Sequence, residues 1–173
     1  SESSPTIINA VFTGNRAESN GGAVFNDGTS GTSSPTLINA TFAGNESVAV
    51  RGGAIASDGG SGTSNPDITN TILWGNRADS GGDEIQKTDA SSTLAHTIIE
   101  GGVNGPGVGG NANSDNGGNL DRDPLFEYAP LPRGDDRTFA TADDGLHVTT
   151  ESPAINAGDN TPFQPGNAAE NVS

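Results

Sequence analysis

Cysteine is absent from this chain of 173 residues, which excludes a disulfide framework, a thiolate metal site and a cysteine nucleophile. Basic residues are scarce. Seven Lys and Arg, with Lys87 as the single lysine, stand against 22 Asp and Glu, and the formal net charge is −15. Nucleic acids and anionic membrane surfaces bind through basic patches, so we expect neither as a partner.

Long apolar runs are missing as well. No stretch is long and apolar enough for a membrane span, and no basic-then-apolar leader stands at Ser1, so we expect no direct membrane insertion. Apolar residues make up only 30 % of the chain. Such a composition drives a compact globule weakly, whereas a solenoid needs few apolar residues per coil because backbone hydrogen bonds join neighbouring coils.

The chain contains a repeat. The segment SSPTIINAVFTGN at 3–15 returns nearly unchanged as SSPTLINATFAGN at 33–45. Looser copies follow as SNPDITNTILWGN at 64–76 and STLAHTIIEGG at 92–102. A fixed period of about 20 to 50 residues is typical of solenoids and arrays.

Two columns of the aligned copies are large and apolar throughout. The first column is Ile7, Leu37, Ile68 and Leu94, and the second is Phe12, Phe42, Leu73 and Ile99. The columns lie five residues apart, whereas a flat strand alternates its faces with a period of two. Both columns are therefore predicted to point inward, with a bend between them.

Asparagine marks the predicted bends. The first corner column is Asn9, Asn39, Asn70 and then His96, and the second corner carries Asn15, Asn45 and Asn76, each after a glycine. Asn tolerates left-handed backbone better than most residues, and stacked Asn side chains can pass hydrogen bonds from coil to coil. We predict two structural Asn ladders. Beside them, Arg16, Glu46 and Arg77 alternate in charge, which favours stacking in register.

The pattern as a whole predicts an all-β fold. No segment has a helical apolar period, and Gly-Gly pairs at 21–22, 52–53 and 81–82 introduce a further apolar strand. We expect a right-handed parallel β-helix of four to five coils, with three short strands in each coil. The 26 glycines fit the many corners.

The chain is predicted to form one domain over 1–173, interpreted as a fragment of a longer protein because it starts directly at a repeat. Three regular coils occupy 1–90, a degenerate coil with a Gly/Asn-rich loop 91–127, and an acidic C-terminal coil or partial cap 128–173. Residues 103–118 are expected to be a mobile insertion. Leu146, Val148 and Ile155 are expected in the last strands.

The motifs resemble two related groups of proteins. FTGN and GGAV at 12–15 and 21–24, with FAGN and GGAI at 42–45 and 52–55, are similar to the FxxN and GGA[ILV] motifs of polymorphic outer-membrane protein passengers. ILWGN, GGDEI, TIIEGG, DPLF and SPAINAGDN, spread over 72–160, resemble secreted right-handed parallel β-helix repeat proteins. The resemblance implies a β-helix at the cell surface or outside the cell, and little about activity.

Acidic residues concentrate toward the C-terminus. GDDRTFATADDG at 134–145 offers four carboxylates, Asp135, Asp136, Asp143 and Asp144. Calcium prefers oxygen ligands on loops that glycine permits, but the spacing is not that of an EF-hand, and Asp and Gly are also common in turns. Calcium is thus the one cofactor that the sequence leaves open, with these four residues as candidate ligands.

For function, the sequence favours a non-enzymatic extracellular structural or adhesive module. Expected partners are glycans or a cell surface, and further copies of the chain stacked end to end as a filament. The alternative is a carbohydrate-active β-helix, a polysaccharide lyase, a hydrolase or a glycan-binding module. Asp83 and Glu84 are the one candidate carboxylate pair for a hydrolase, although a polar shoulder of a tapering coil also explains them. Trp74 could stack on a sugar or fill a gap beneath the loops. No catalytic residue is assigned.

Overall fold

The computed structural model describes residues 1–138 and 141–163, and the chain winds through them as a series of short strands. The first coil contains β1 (Thr6–Ile8), β2 (Val11–Thr13), β3 (Arg16–Ala17) and β4 (Val24–Asp27). The second contains β5 (Thr36–Ile38), β6 (Thr41–Ala43), β7 (Glu46–Ser47) and β8 (Ile55–Asp58). The third contains β9 (Asp67–Thr69), β10 (Ile72–Trp74), β11 (Arg77–Ala78) and β12 (Ile85–Thr88). A fourth, shorter coil contains β13 (Thr93–Ala95), β14 (Ile98–Ile99) and β15 (Val108–Gly109), and β16 (Ser114–Asp115) begins the next passage beside β13.

Equivalent strands of successive coils pair in parallel and form four sheets. Their orders are β1-β5-β9-β13-β16, β2-β6-β10-β14, β3-β7-β11 and β4-β8-β12-β15. The fold is therefore an all-β parallel solenoid of about three turns. The expected three strands per coil and four to five coils are corrected to four strands and about three turns. The extra strand has only two residues, too few for sequence alternation to reveal it.

The predicted apolar columns form the core. Ile7 pairs with Leu37, and Phe12 with Phe42, in register with the later coils. Leu37, Phe42, Ile68, Leu73, Leu94 and Ile99 are fully buried. The rings of Phe12 and Phe42 stack with centroids 4.5 Å apart and an angle of 7°. The prediction that both columns point inward is confirmed.

The bend between β1 and β2 recurs in every coil. Asn9, Asn39, Asn70 and His96 all have positive φ, at 55°, 55°, 53° and 50°. This left-handed conformation costs most residues free energy but is tolerated by Asn, which explains why the repeat keeps Asn at this corner. The turn lets residues five apart both face the core.

The Gly/Asn-rich stretch 103–118 is part of the solenoid, against the expectation of a mobile insertion. It carries β15, which pairs with β12, and β16, which pairs with β13. Val103 and Val108 pack against the core. The prediction was wrong because backbone pairing and these two valines anchor a segment whose composition is otherwise typical of loops.

Residues 120–138 and 141–163 continue mainly as turns. Leu146, Val148 and Ile155 were expected in strands. The structure gives instead one antiparallel bridge between Phe126 and Val148, and leaves Ile155 exposed. A short 3-10 helix follows at Thr161–Phe163. Residues 139–140 and 164–173 of the predicted acidic C-terminal coil lie outside the described residues. No helix in the described part of the chain could cross a membrane.

Candidate functional site

The corner between the second and third sheets carries an amide ladder, in which Asn15 is exposed and Asn45 and Asn76 are buried. The Asn15 side-chain nitrogen donates to Asn45 Oδ1 at 2.9 Å, and that of Asn45 donates to Asn76 Oδ1 at 2.8 Å. The backbone amides of Asn15 and Asn45 donate to the same two oxygens. Further bonds from the Asn45 and Asn76 side chains reach the Phe12 and Phe42 carbonyls. The ladder thus locks each coil to the next.

Glu84 ends this ladder. Its carboxyl accepts a hydrogen bond from the Asn76 side chain at 2.5 Å and one from the Asn76 backbone amide at 3.2 Å. The fourth repeat has Gly102 where the earlier copies have Asn, so no fourth amide is available. Glu84, at 1 % exposure, supplies the missing acceptor from the residue directly before β12. A buried polar group at a ladder's end needs such a partner.

Three carboxyl groups line one cleft beside this ladder end. Asp83, Glu84 and Glu100 surround a cavity of about 370 Å³ together with Asn76, Gly101, Pro106 and Gly107. Asp83 Oδ1 accepts from the Ala78 amide at 2.8 Å, and Glu100 Oε2 accepts from the Gly75 amide at 2.8 Å. All three carboxyl groups therefore accept hydrogen bonds from backbone amides of the solenoid.

The cleft is electrostatically asymmetric. Burial raises the pKa of Glu84 to about 8, against the lowering effect of the Asn76 hydrogen bonds, and the charges of Glu100 and Asp83 raise it further. Glu84 therefore holds a proton at neutral pH. A protonated carboxyl beside other carboxylates is the arrangement that glycosidases use, but Glu84 is covered by protein and directed at Asn76.

Lys87 is a second buried ionisable group in the third coil. It is 2 % exposed, and its Nζ has no hydrogen-bond partner among residues 1–138 and 141–163. Burial lowers its pKa to about 8. It pairs in register with Ser57 of the preceding coil, where Asn26 donates to the Ser57 hydroxyl at 3.1 Å. Lys87 thus continues a polar interior column without joining its hydrogen bonds.

The first corner is partly covered by the C-terminal segment. The Asn39 side chain donates to Asn9 Oδ1, while Asn70 exchanges two hydrogen bonds of 2.7 Å with the backbone of Asp159. His96 Nδ1 lies 3.1 Å from the Ala157 carbonyl oxygen. The expected ladder therefore runs between Asn9 and Asn39, and the segment at 157–159 engages the third and fourth coils instead.

Trp74 lies in a shallow groove of the opposite wall. The groove is bounded by the small residues Thr13 and Ala43, by the corner glycines, and by Phe126, Pro130 and Pro132. Trp74 is half-buried. The groove is mainly apolar, and both roles that the sequence allows for Trp74, sugar stacking and gap filling, stay predictions.

The four predicted calcium ligands lie in the turn region. Asp143 Oδ2 accepts from the amides of Asp135 and Asp136, and its Oδ1 accepts from the Thr141 hydroxyl. Asp144 Oδ2 accepts from the Thr141 amide. Within residues 1–138 and 141–163, no group of three or more His or acidic side chains is placed to hold a metal ion. Calcium stays a prediction, without geometric support here.

Sequence reasoning pointed to Asp83 and Glu84 but missed Glu100 and Lys87. The offset of 26 residues that aligns Leu73 with Ile99 also aligns Trp74 with Glu100, beside the cleft. The alternation of β12 likewise turns Lys87 to the same side as Ile85. Both signals were present in the column alignment.

Searches of protein-family models, curated proteins and solved structures found no match to this chain. The resemblance to β-helix passengers is therefore supported at the level of the parallel solenoid alone.

Proposed function

We propose that this protein is a non-enzymatic structural or adhesive module that works outside the cell or at its surface. The observation that carries the proposal is that the carboxyl groups of the cleft are hydrogen-bonded to the solenoid itself. Asp83, Glu84 and Glu100 each accept hydrogen bonds from the solenoid. The Asn side chains of the ladder likewise form hydrogen bonds between coils. The formal net charge of −15 favours a well-separated, soluble molecule over unspecific association.

The extracellular setting rests on the resemblance of the motifs to secreted and surface β-helix proteins and on the strongly acidic composition. Surface labelling of intact source cells with an antibody against the module tests it. We expect labelling without permeabilisation; signal that appears only after permeabilisation contradicts a surface or secreted role.

A carbohydrate-active enzyme is the second candidate, favoured by one observation. Burial raises the pKa of Glu84 to about 8, and Glu84 lies beside Glu100 and Asp83, as a general acid lies beside a second carboxyl group in glycosidases. Against it, Glu84 is 1 % exposed and bonded to Asn76, so a glycosidic oxygen has no direct access to its proton.

A depolymerisation screen on neutral and acidic polysaccharides separates the two candidates. The purified protein, Glu84→Gln and Glu100→Gln are compared with Asp79→Asn, a control at an exposed carboxylate that faces Arg77 instead of the cleft. We expect no turnover by any of the four. Turnover that survives Asp79→Asn and disappears in both cleft variants would overturn the structural proposal.

A further inference from the structure

The N-terminal face of the solenoid consists of the outward edges of β1, β2, β3 and β4. Each of these strands pairs on one side only, whereas β5 to β8 pair on both sides. Unpaired strand edges are templates for the addition of another strand. The side chains on this face define what can add there.

The apolar part of the face is an unfinished core. Phe12 stacks on Phe42 with one side of its ring, and its other side is half-exposed. Ile7 and Val24 are also half-buried, whereas their neighbours Leu37 and Ile55 are fully buried one coil further on. Burial of the equivalent residues in the second coil depends on having a coil on each side, and the first coil has one.

The polar part of the face is directional. In the ladder, each Asn oxygen accepts from the coil on its N-terminal side, as Asn45 Oδ1 does from Asn15. Asn15 Oδ1 has no donor within the described residues, and the Asn9 side-chain nitrogen, whose counterpart in Asn39 donates to Asn9, has no acceptor there. The face thus offers one acceptor and one donor at fixed positions.

The charge on the face is also specific. Arg16 bonds Glu46 at 3.0 Å, and Glu46 lies 3.9 Å from Arg77, so the column alternates in sign. The Arg16 side chain is 60 % exposed. An acidic residue stacked on its free side continues the alternation, and a basic residue there would repel it.

We propose that the N-terminal face binds a parallel β-solenoid coil of the same repeat class. The bound coil has an apolar residue opposite Phe12, Asn opposite Asn9 and Asn15, and Asp or Glu opposite Arg16. This inference names the partner of the structural module proposed above and rests on that proposal. The second coil of this chain, with Leu37, Asn39, Phe42, Asn45 and Glu46, meets every requirement.

The other end of the same chain does not meet these requirements. The apolar column ends there with Asp115 above Leu94, and Asp115 is exposed and bonded to Gly117 and Asn119. The part of the chain that the structure describes therefore offers no matching surface for a simple head-to-tail filament. Pairing of two N-terminal faces reverses the order of the columns, so Asn15 loses its matching amide donor.

An added coil provides the test. A copy of residues 31–61 is fused directly before Ser1, which reproduces the spacing of 31 residues between Thr32 and Thr63. We expect a higher midpoint of thermal unfolding, and exchange of the outward amides of β1 and β2 slowed at least about tenfold. The matched control carries Glu46→Arg inside the copy alone and should raise the midpoint less. A second control with Phe42→Asp in the copy should give no protection.

Several outcomes overturn the inference. Exchange in β1 and β2 that is unchanged by the added coil does so, as does equal protection by the copy and by its Phe42→Asp version. Sedimentation of the unmodified protein gives an independent readout: a monomer is expected, and a dimer whose formation protects β1 and β2 contradicts the directional partner. None of these results affects the turnover screen, so the inference and the proposed function fail separately.

Discussion

The first and the last coil of the solenoid continue the same columns but end them differently. At the N-terminal end the columns stop on Ile7, Phe12 and an exposed Asn15, and Val11 is 55 % exposed. At the C-terminal end the segment with β15 and β16 lays Gly, Asn and Asp over the core, and Glu84 closes the amide ladder. Within the described residues, polar groups thus cover the core at the C-terminal end of the solenoid, whereas apolar side chains face outward from the first coil.

This difference indicates where stability resides. Residues near the closed end should tolerate substitution poorly because each of their groups is buried and paired. Equivalent residues at the open end should tolerate it well because water already replaces half of their contacts. Matched substitutions in one column measure the difference directly.

The largest expected effect is in the phenylalanine column. Phe42→Ala removes a fully buried ring between two coils and should lower the free energy of unfolding by about 3 to 5 kcal/mol. Phe12→Ala, which removes the half-exposed ring stacked on it, should cost less than half as much. Urea unfolding measures both. Equal losses would mean that the first coil is as tightly packed as the second.

Glu84 gives the closed end a dependence on pH. Its pKa is about 8 in the folded protein, against 4.5 as the ordinary value, so the folded state holds the proton more tightly. The stabilisation is complete below pH 4.5 and is lost as the pH rises to 8, by an amount on the order of 5 kcal/mol. Glu84→Gln mimics the protonated form and should be more stable than the parent at pH 8.5.

The same comparison repeated at pH 4 is the control. There the parent carries a protonated Glu84, so the advantage of Glu84→Gln should largely disappear. A difference between the two proteins that is constant from pH 4 to pH 8.5 would mean that Glu84 titrates normally.

Much of this asymmetry was open to prediction from the repeat. Alignment of the copies placed the two apolar columns and the Asn corner, because in-register stacking preserves the sequence period. It did not reveal β3, which is too short for a pattern, or the pairing of 103–118, where backbone hydrogen bonds hold a sequence without apolar alternation. Glu100 is distant in sequence from the adjacent pair Asp83 and Glu84, so its place in the cleft can be predicted only from the offsets between coils.

The amide ladder offers the next comparison. Asn76→Ala removes bonds to Glu84, Asn45 and the Phe42 carbonyl, all buried, and should cost about 3 kcal/mol. Asn15→Ala at the open end removes one side-chain bond from an exposed residue and should cost less than about 1 kcal/mol. Thermal unfolding of the two variants checks the ratio. A larger loss for Asn15→Ala would contradict the expectation that the ladder contributes more stability at its buried end than at its exposed end.

Lys87 should destabilise the third coil at neutral pH. Its pKa is about 8 when folded and 10.5 ordinarily, so burial of the charge costs free energy that is recovered as the pH rises from 8 to 10.5. Lys87→Met keeps the aliphatic length and should stabilise the protein by about 2 kcal/mol at pH 7, with little gain above pH 10.5. Loss of stability at pH 7 would mean that the ammonium is paired.

The smallest effect is expected in the charge column of Arg16, Glu46 and Arg77, whose side chains are in contact with solvent in every coil. Glu46→Gln removes the bond to Arg16 at 3.0 Å and the longer contact to Arg77. Exposed pairs contribute little, so the loss should be about 0.5 kcal/mol and should shrink in 0.5 M salt, since surface charges are screened. Arg77→Gln is the matched control and should cost less, because its contact with Glu46 is longer. A salt-independent loss above about 1 kcal/mol would mean that Glu46 helps to fix the stacking register of the coils by more than charge attraction. The preference of the N-terminal face for an acidic partner residue would then be stronger than Coulomb attraction alone provides.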